Sequence, residues 1–164
     1  MQQDKEMKKS WTEDDFENMS WHDNHVHGFT IRSGEYGAGE IEFNIDYISE
    51  WIPCEEKSFR FLIAPALLTF RDVTNLKLNL DYKTPTAALT PFSIHQIHYD
   101  KNSKEWRIEI NWPNGDITFD SSGYNQEVIG DFIESDGQFL DQEIRTQSML
   151  HNKSLQSDAP KARR

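Results

Sequence analysis

Apolar and polar residues alternate with a period of two along most of the chain, as a half-buried β-strand is written. His25, His27, Phe29 and Ile31 fall on one side of an extended segment, with Val26, Gly28 and Thr30 on the other. Ser33 to Gly39 is rich in glycine and makes a turn, after which Ile41, Phe43, Ile45 and Tyr47 alternate with Glu40, Glu42, Asn44 and Asp46. These two segments are predicted to pair as an antiparallel hairpin with one wet face. Phe59, Phe61 and Ile63 begin a third strand. Pro65 has no N–H to give a ladder, so a bend, bulge or edge is expected there before Leu67, Leu68 and Phe70. Arg71 to Asn75 reads as a turn, and Leu76, Leu78, Leu80 and Tyr82 as a fourth strand.

Thr84 to Pro91 reads as a loop. In the fifth strand, Phe92 and Ile94 lie on one side and Ile97 and Tyr99 on the other, a break of period that calls for a bulge or for burial of both faces. Trp106, Ile108, Ile110 and Trp112, then Pro113-Asn114-Gly115-Asp116, then Ile117 and Phe119 are the clearest hairpin of the sequence. Val128, Ile129, Phe132 and Ile133 have helix-like spacing over little more than one turn, and a short helix is expected near Asp136 to Thr146. The predicted fold is therefore all-β and mainly antiparallel, one domain of about seven strands folded as a sandwich or open barrel, with short helical pieces at the ends. Residues 1–20 read as a flexible lead-in, with docking of Trp11 and Phe16 on the body through a short helix started by Ser10 or Thr12 as the alternative, 21–146 as the β domain and 147–164 as a disordered tail.

Composition narrows the function classes. A chain of 164 residues is long enough for one unstapled core. Cys54 is the sole cysteine, so no intrachain disulfide is available. The first sixteen residues lack the apolar stretch of a signal peptide, and no apolar run approaches the ~20 residues of a membrane span, so a cytoplasmic protein is expected. A net charge of −11 argues against tracking nucleic-acid phosphates. From Gly115 to Glu143 there are eight acids and no Lys or Arg. Asp131, Glu134 and Asp136, in the middle of that run, are the candidate contacts for a basic partner protein; the plainer alternative is a solvated face.

Candidate chemistry is concentrated in Trp21-His22-Asp23-Asn24-His25-Val26-His27, which holds three of the six histidines. Two histidines two apart on a strand project to one side, the spacing by which such a pair can hold a divalent transition metal, with His22 or Asp23 as a further ligand. The structural alternative, imidazoles at the core edge bonded to backbone, needs no cofactor. The pair is similar to the one that opens the metal site of cupins, and Pro113-Asn114-Gly115 to part of their second motif. Ile31 and Arg32 stand where that family has a Glu, however, and Thr118 where it has a His. No nucleophile elbow, Walker loop or dinucleotide fingerprint is present, and Cys54 beside Glu55 and Glu56 sits in the wrong electrostatic setting for a thiolate.

The opening Trp21 to His27 stretch, Asn44-Ile45-Asp46-Tyr47-Ile48 with Trp51, Ala64-Pro65-Ala66, and Ile117 to Tyr124 together resemble a group of small uncharacterised bacterial proteins, over roughly Trp21 to Arg145. The resemblance implies a bacterial cytoplasmic protein and brings no activity with it. A looser likeness in size, charge and strand content links the chain to acidic immunity proteins of bacterial toxin systems. The function expected is a non-enzymatic binding or immunity-type module presenting an acidic surface to a partner protein. The alternative is a small metal-dependent enzyme or metal-binding barrel using His22, His25 and His27. A third is a β-sandwich subunit that oligomerises through an exposed edge or the Trp51 region.

Overall fold

The computed structural model describes residues 7–83 and 89–157. Among the described residues nine strands form one antiparallel sheet: β1 Ser10–Thr12, β2 His25–Ser33, β3 Gly39–Pro53, β4 Phe59–Asp81, β5 Phe92–Asp100, β6 Glu105–Trp112, β7 Asn114–Asp120, β8 Gly123–Val128 and β9 Ile133–Ser135. One α-helix, α1, spans Gln142–Ser157, and a 3-10 helix Glu13–Asn18 follows β1. No helix among the described residues is long and apolar enough to cross a membrane. The all-β, antiparallel expectation holds. Most of the loop expected at Thr84 to Pro91, and the tail beyond Ser157, lie outside the described residues.

The 23-residue β4 organises the sheet. Its first edge pairs with β3 from Phe59 to Val73. Its second edge takes three partners in succession: β9 at Phe61 to Ile63, β8 at Ala66 to Arg71, and β7 at Thr74 to Asp81. From β7 the ladder continues through β6, β5, β2 and β3 back to β4, so six strands complete a circuit. The seam between β2 and β5 is the narrowest join, with two residue pairs, His25↔Ser93 and Val26↔Phe92.

This explains why strands three and four of the sequence reading are one. Pro65 sits where the second edge passes from β9 to β8, so its missing N–H interrupts no ladder there, and its carbonyl accepts from Ile129 N–H. The turn expected at Arg71 to Asn75 is a bulge within β4. Asp72 and Asn75 take φ of 51° and 54°, and the register shifts between Thr74 and Lys77 as the strand leaves β8 for β7. Asp and Asn tolerate that left-handed geometry, which is also why the stretch looked like a turn. At the β6–β7 hairpin, a Cβ on Gly115 would collide with the Asn79 carbonyl of β4, so the residue must stay bare for the circuit to close.

The interior is aromatic and branched. Phe70 meets Phe119 and Trp106 with ring centroids 4.7 and 5.1 Å apart, among the fully buried Phe43, Ile41, Ile45, Leu68 and Ile108. The lead-in belongs to this core. Trp11 packs on Tyr47 at 4.9 Å, Phe16 edge-on against Trp106 at 5.3 Å, and Trp21 is buried with its indole N–H donating to Gln126 Oε1 at 2.8 Å. At roughly 1.5–3 kcal/mol for each large apolar side chain fully removed from water, these contacts are part of what holds the domain together. Residues 7–20 of the expected lead-in thus carry β1 and the 3-10 helix capped by Thr12, with Trp11 and Phe16 docked on the body. A smaller apolar cluster, Ile48, Phe61, Ile63 and Leu140, lies where β3 and β4 run together toward their connecting turn.

The C-terminal expectation is corrected too. The helix begins at Gln142 instead of Asp136 and runs on to Ser157, through most of the expected tail. Its buried positions, Arg145, Ser148 and Asn152, share one face and are polar, so hydrophobic periodicity had nothing there to detect.

Candidate functional site

The stretch Trp21 to His27 enters β2 at the seam, and its geometry follows from a bulge. His25 stands opposite Asp46 and Val26 opposite Ile45, but the next pair is Gly28↔Asn44, so His27 is an extra residue in the ladder. Residues directly opposite share a face. His25 therefore lies outside with Asp46, while Val26, Phe29 and Ile31 share the inward side of Ile45, Phe43 and Ile41. The expected common face of His25, His27, Phe29 and Ile31 is overturned, because the bulge reverses the parity after Val26.

Asp46 is fully buried and is the hub of this outer surface. Its Oδ2 accepts from His27 Nε2 and from the Leu140 N–H, both at 2.8 Å, and its Oδ1 accepts from Arg145 Nε at 3.0 Å. Arg145, equally buried, donates through Nη2 to Asn44 Oδ1 at 2.6 Å. Burial pulls the Arg145 pKa below its usual value, with the charge of Asp46 opposing. The carboxylate can only accept, so His27 carries its proton on Nε2. The C-terminal segment is thus fastened across β2 and β3 by charge-assisted hydrogen bonds.

A second hub is Asp23, whose backbone is held at φ 62°. Its N–H donates to the Ile94 carbonyl at 2.8 Å, and Ile94 N–H returns a bond to Asn24 O at 2.9 Å, which prolongs the seam beyond the two ladder pairs. Asp23 Oδ1 accepts from Asn111 Nδ2 at 2.7 Å and Oδ2 from Gln138 Nε2 at 2.8 Å, with His22 Nδ1 at 3.1 Å from the latter oxygen. His25 Nδ1 bonds the Asp23 carbonyl at 3.0 Å, and its ring lies 4.7 Å from that of Phe139. Burial pushes the His25 pKa down, partly offset by the bond to the Asp23 carbonyl and by the charge of Asp46. His22 reaches outward, its ring centroid 5.2 Å from His95 and 6.2 Å from Trp51.

The structure gathers His22, His25 and His27 in one neighbourhood but aims each at a different partner: Asp23 carboxylate, Asp23 carbonyl and Asp46. Among the described residues, no three His, Cys, Asp or Glu side chains converge on one point as a metal-ligand set would. The three candidate acids also have internal partners. Asp131 Oδ2 is 2.7 Å from His151 Nδ1, while Glu134 and Asp136 share Arg60, each at 2.9 Å. Asp136 is nevertheless 91% exposed at its side chain and Glu134 55%, so two carboxylates face one guanidinium and a net negative charge remains at the surface.

Around these fixed hubs, large aromatic faces stay open to solvent. Trp51, Phe59, Trp112 and Phe139 are between 39% and 47% exposed. Trp51 is braced edge-on by Phe59 and Phe61 at 5.7 and 4.9 Å, and Phe59 precedes Arg60, the residue between Glu134 and Asp136. Sequence reasoning missed Asp46, Asn111, Gln138 and Arg145. The partners of the two hubs are 88, 115 and 99 positions away, beyond the reach of any local pattern. His95 had one signal, the broken period of Ile94 to Tyr99. It is the extra residue where the register shifts between Ile94 and Gln96. In comparisons with protein-family models, with curated proteins and with solved structures, nothing matches this chain.

Proposed function

We propose that this protein is a non-enzymatic binding module of bacterial, immunity-type character that docks on a basic protein partner through exposed aromatic side chains with an acidic rim. The observation that carries it is the Trp51–Phe59 pair, braced by Phe61 and followed directly by Arg60 with Glu134 and Asp136. Rigid, half-exposed aromatic rings give contact area at little cost in side-chain entropy, and a rim of one sign steers a partner of the other. The imidazoles and carboxylates of residues 22–27 support the same reading, since their internal bonds hold the surface in one shape.

The test is capture from the cells that make the protein, followed by titration of whatever is retained. A Lys- and Arg-rich partner should be held at low salt and released at high salt. Trp51→Ala should weaken it by about 2 kcal/mol, roughly 30-fold, and the pair Glu134→Gln with Asp136→Asn should chiefly slow association. Binding indifferent to salt and to all three substitutions overturns the proposal.

A second reading, a metal-binding barrel, is favoured by the contact between the His22 and His95 rings. Elemental analysis of protein purified without an affinity tag tests it, and a stoichiometry near zero removes it.

A further inference from the structure

We infer that the free edge of β5 is a second recognition site, one that takes an extended basic peptide as an added strand. On its β6 side, β5 is paired from Ser93 to Asp100 with His95 bulged out of the ladder. On the other side its ladder to β2 ends after Phe92 and Ser93, and the two bonds that tie Ile94 to Asp23 and Asn24 are the last main-chain contacts on that edge among the described residues. Strand amides point alternately to either side, so two of the four residues from Gln96 to Tyr99 turn their N–H and C=O away from β6. These four residues span about 13 Å at ~3.3 Å each. An unpaired edge is ordinarily blunted by a short strand, a charge or a cover.

Here the cover stands off. A cavity of about 500 Å³ separates His95 to Tyr99 from the lead-in at Phe16 to His22. Its lining decides the occupant. Ile97 and Tyr99 are opposite Ile108 and Trp106, both core residues, so they mark the inward side of β5, and Phe16, Met19 and Trp21 supply apolar surface across the gap. A strand laid in the plane of the sheet would turn alternate side chains toward that apolar surface and the others outward beside Gln96 and His98. His98 is already paired with Glu109 at 2.9 Å, and the lining holds Glu17 but no Lys or Arg. On the outward face Gln96 and His98 stand opposite Glu109 and Arg107, with Asp116 beyond Glu109, so acids outnumber the one guanidinium, and in a chain of net charge −11 the outward positions favour Lys or Arg. The occupant is therefore a peptide segment that alternates apolar and basic residues. The site adjoins the Trp51 surface at His22, whose ring lies 6.2 Å from that of Trp51, but the edge pairing does not depend on Trp51.

The probe is the blocked hexapeptide Val-Lys-Val-Lys-Val-Lys, titrated calorimetrically into the full chain. Binding is expected, together with slowed hydrogen exchange at amides within 96–99. The same peptide N-methylated at alternate residues, which removes the strand-pairing N–H groups, should bind at least tenfold more weakly, as should the Val-Glu analogue. Gln96→Pro should reduce affinity by a similar factor. Should that variant fail to fold, Glu17→Lys, at an exposed position, is expected to weaken the Val-Lys peptide severalfold while leaving the fold intact. Equal affinity for the N-methylated peptide, equal affinity for the Val-Glu peptide, or no binding by the Val-Lys peptide each overturns the inference.

Discussion

Arg145 Nε lies 3.0 Å from Asp46 Oδ1, with both side chains removed from solvent and the two residues 99 positions apart in the chain. This ion pair ties the C-terminal helix to β3. The buried face of that helix is otherwise Ser148, whose hydroxyl accepts from the Asp131 N–H at 2.6 Å, and Asn152, so the helix docks by polar side chains instead of by an apolar stripe. Breaking one side of a buried ion pair strands the other charge at a cost of about 3–5 kcal/mol. Arg145→Met is expected to lose that much in urea denaturation and to speed amide exchange throughout α1. Adding Asp46→Asn should cost little more, because the charge left behind by the first change is removed and an amide oxygen can still accept from Leu140 N–H. Two losses that simply add would show that the residues do not act as a pair.

Acid should weaken the protein through His25. Burial holds its folded pKa below the ordinary value, so the unfolded chain binds the proton more readily. The sign is then fixed: this contribution to stability is complete above the unfolded pKa, about 6.5, and is lost as pH falls from there toward the lower folded pKa. Urea midpoints measured from pH 7.5 to 5.0 should fall more steeply for the native protein than for His25→Gln. A His25 imidazole titrating by NMR at or above the unfolded value contradicts the assignment.

Much of the fold was legible because half-buried strands write their burial into a period of two. The hairpins β2–β3 and β6–β7 were found that way, and so was the break at Ile94 to Tyr99. What stayed hidden shares one physical cause. Bulges at His27 and within Arg71 to Lys77 change which face or which neighbour a strand serves without altering composition. A strand that swaps partners along one edge, as β4 does at Pro65, looks like two strands interrupted by a breaker. Trp11 and Phe16 were legible as docking candidates, but the core partners they meet come together only through the fold. The site was half legible: the histidine-rich stretch marked the place, while Asp46, Arg145, Asn111 and Gln138 come together only through the fold.

Arg60 separates stability from recognition. Its partners Glu134 and Asp136 are largely solvent-exposed, and such pairs contribute ~0–1 kcal/mol to folding. Arg60→Gln is therefore expected to leave the thermal midpoint nearly unchanged. It also releases both carboxylates and adds one unit of negative charge to the rim of the Trp51 surface. A basic partner recovered by capture should bind the variant faster, severalfold at low ionic strength, with the gain fading as salt is raised. Slower association at low salt would place the acidic rim outside the interface.

The bulge at His27 gives the sharpest test of the site's construction. Because His27 is the additional residue, its removal leaves His25 outside, Val26 inside, Gly28 outside and Phe29 inside, the alternation of a regular strand with every later residue still opposite its present partner. The deletion variant should fold, with native β2–β3 pairing in hydrogen exchange. It should lose roughly 1–3 kcal/mol, mostly from the hydrogen bond withdrawn from buried Asp46. Deleting Val26 instead removes a core side chain that is 2% exposed and leaves an imidazole as the residue available opposite Ile45. That variant should fail to fold or sit at the edge of stability, since a cavity and a misplaced polar ring add together. If the two deletions proved equally harmful, the extra residue would not be His27, and the outward placement of both imidazoles would have to be abandoned with it.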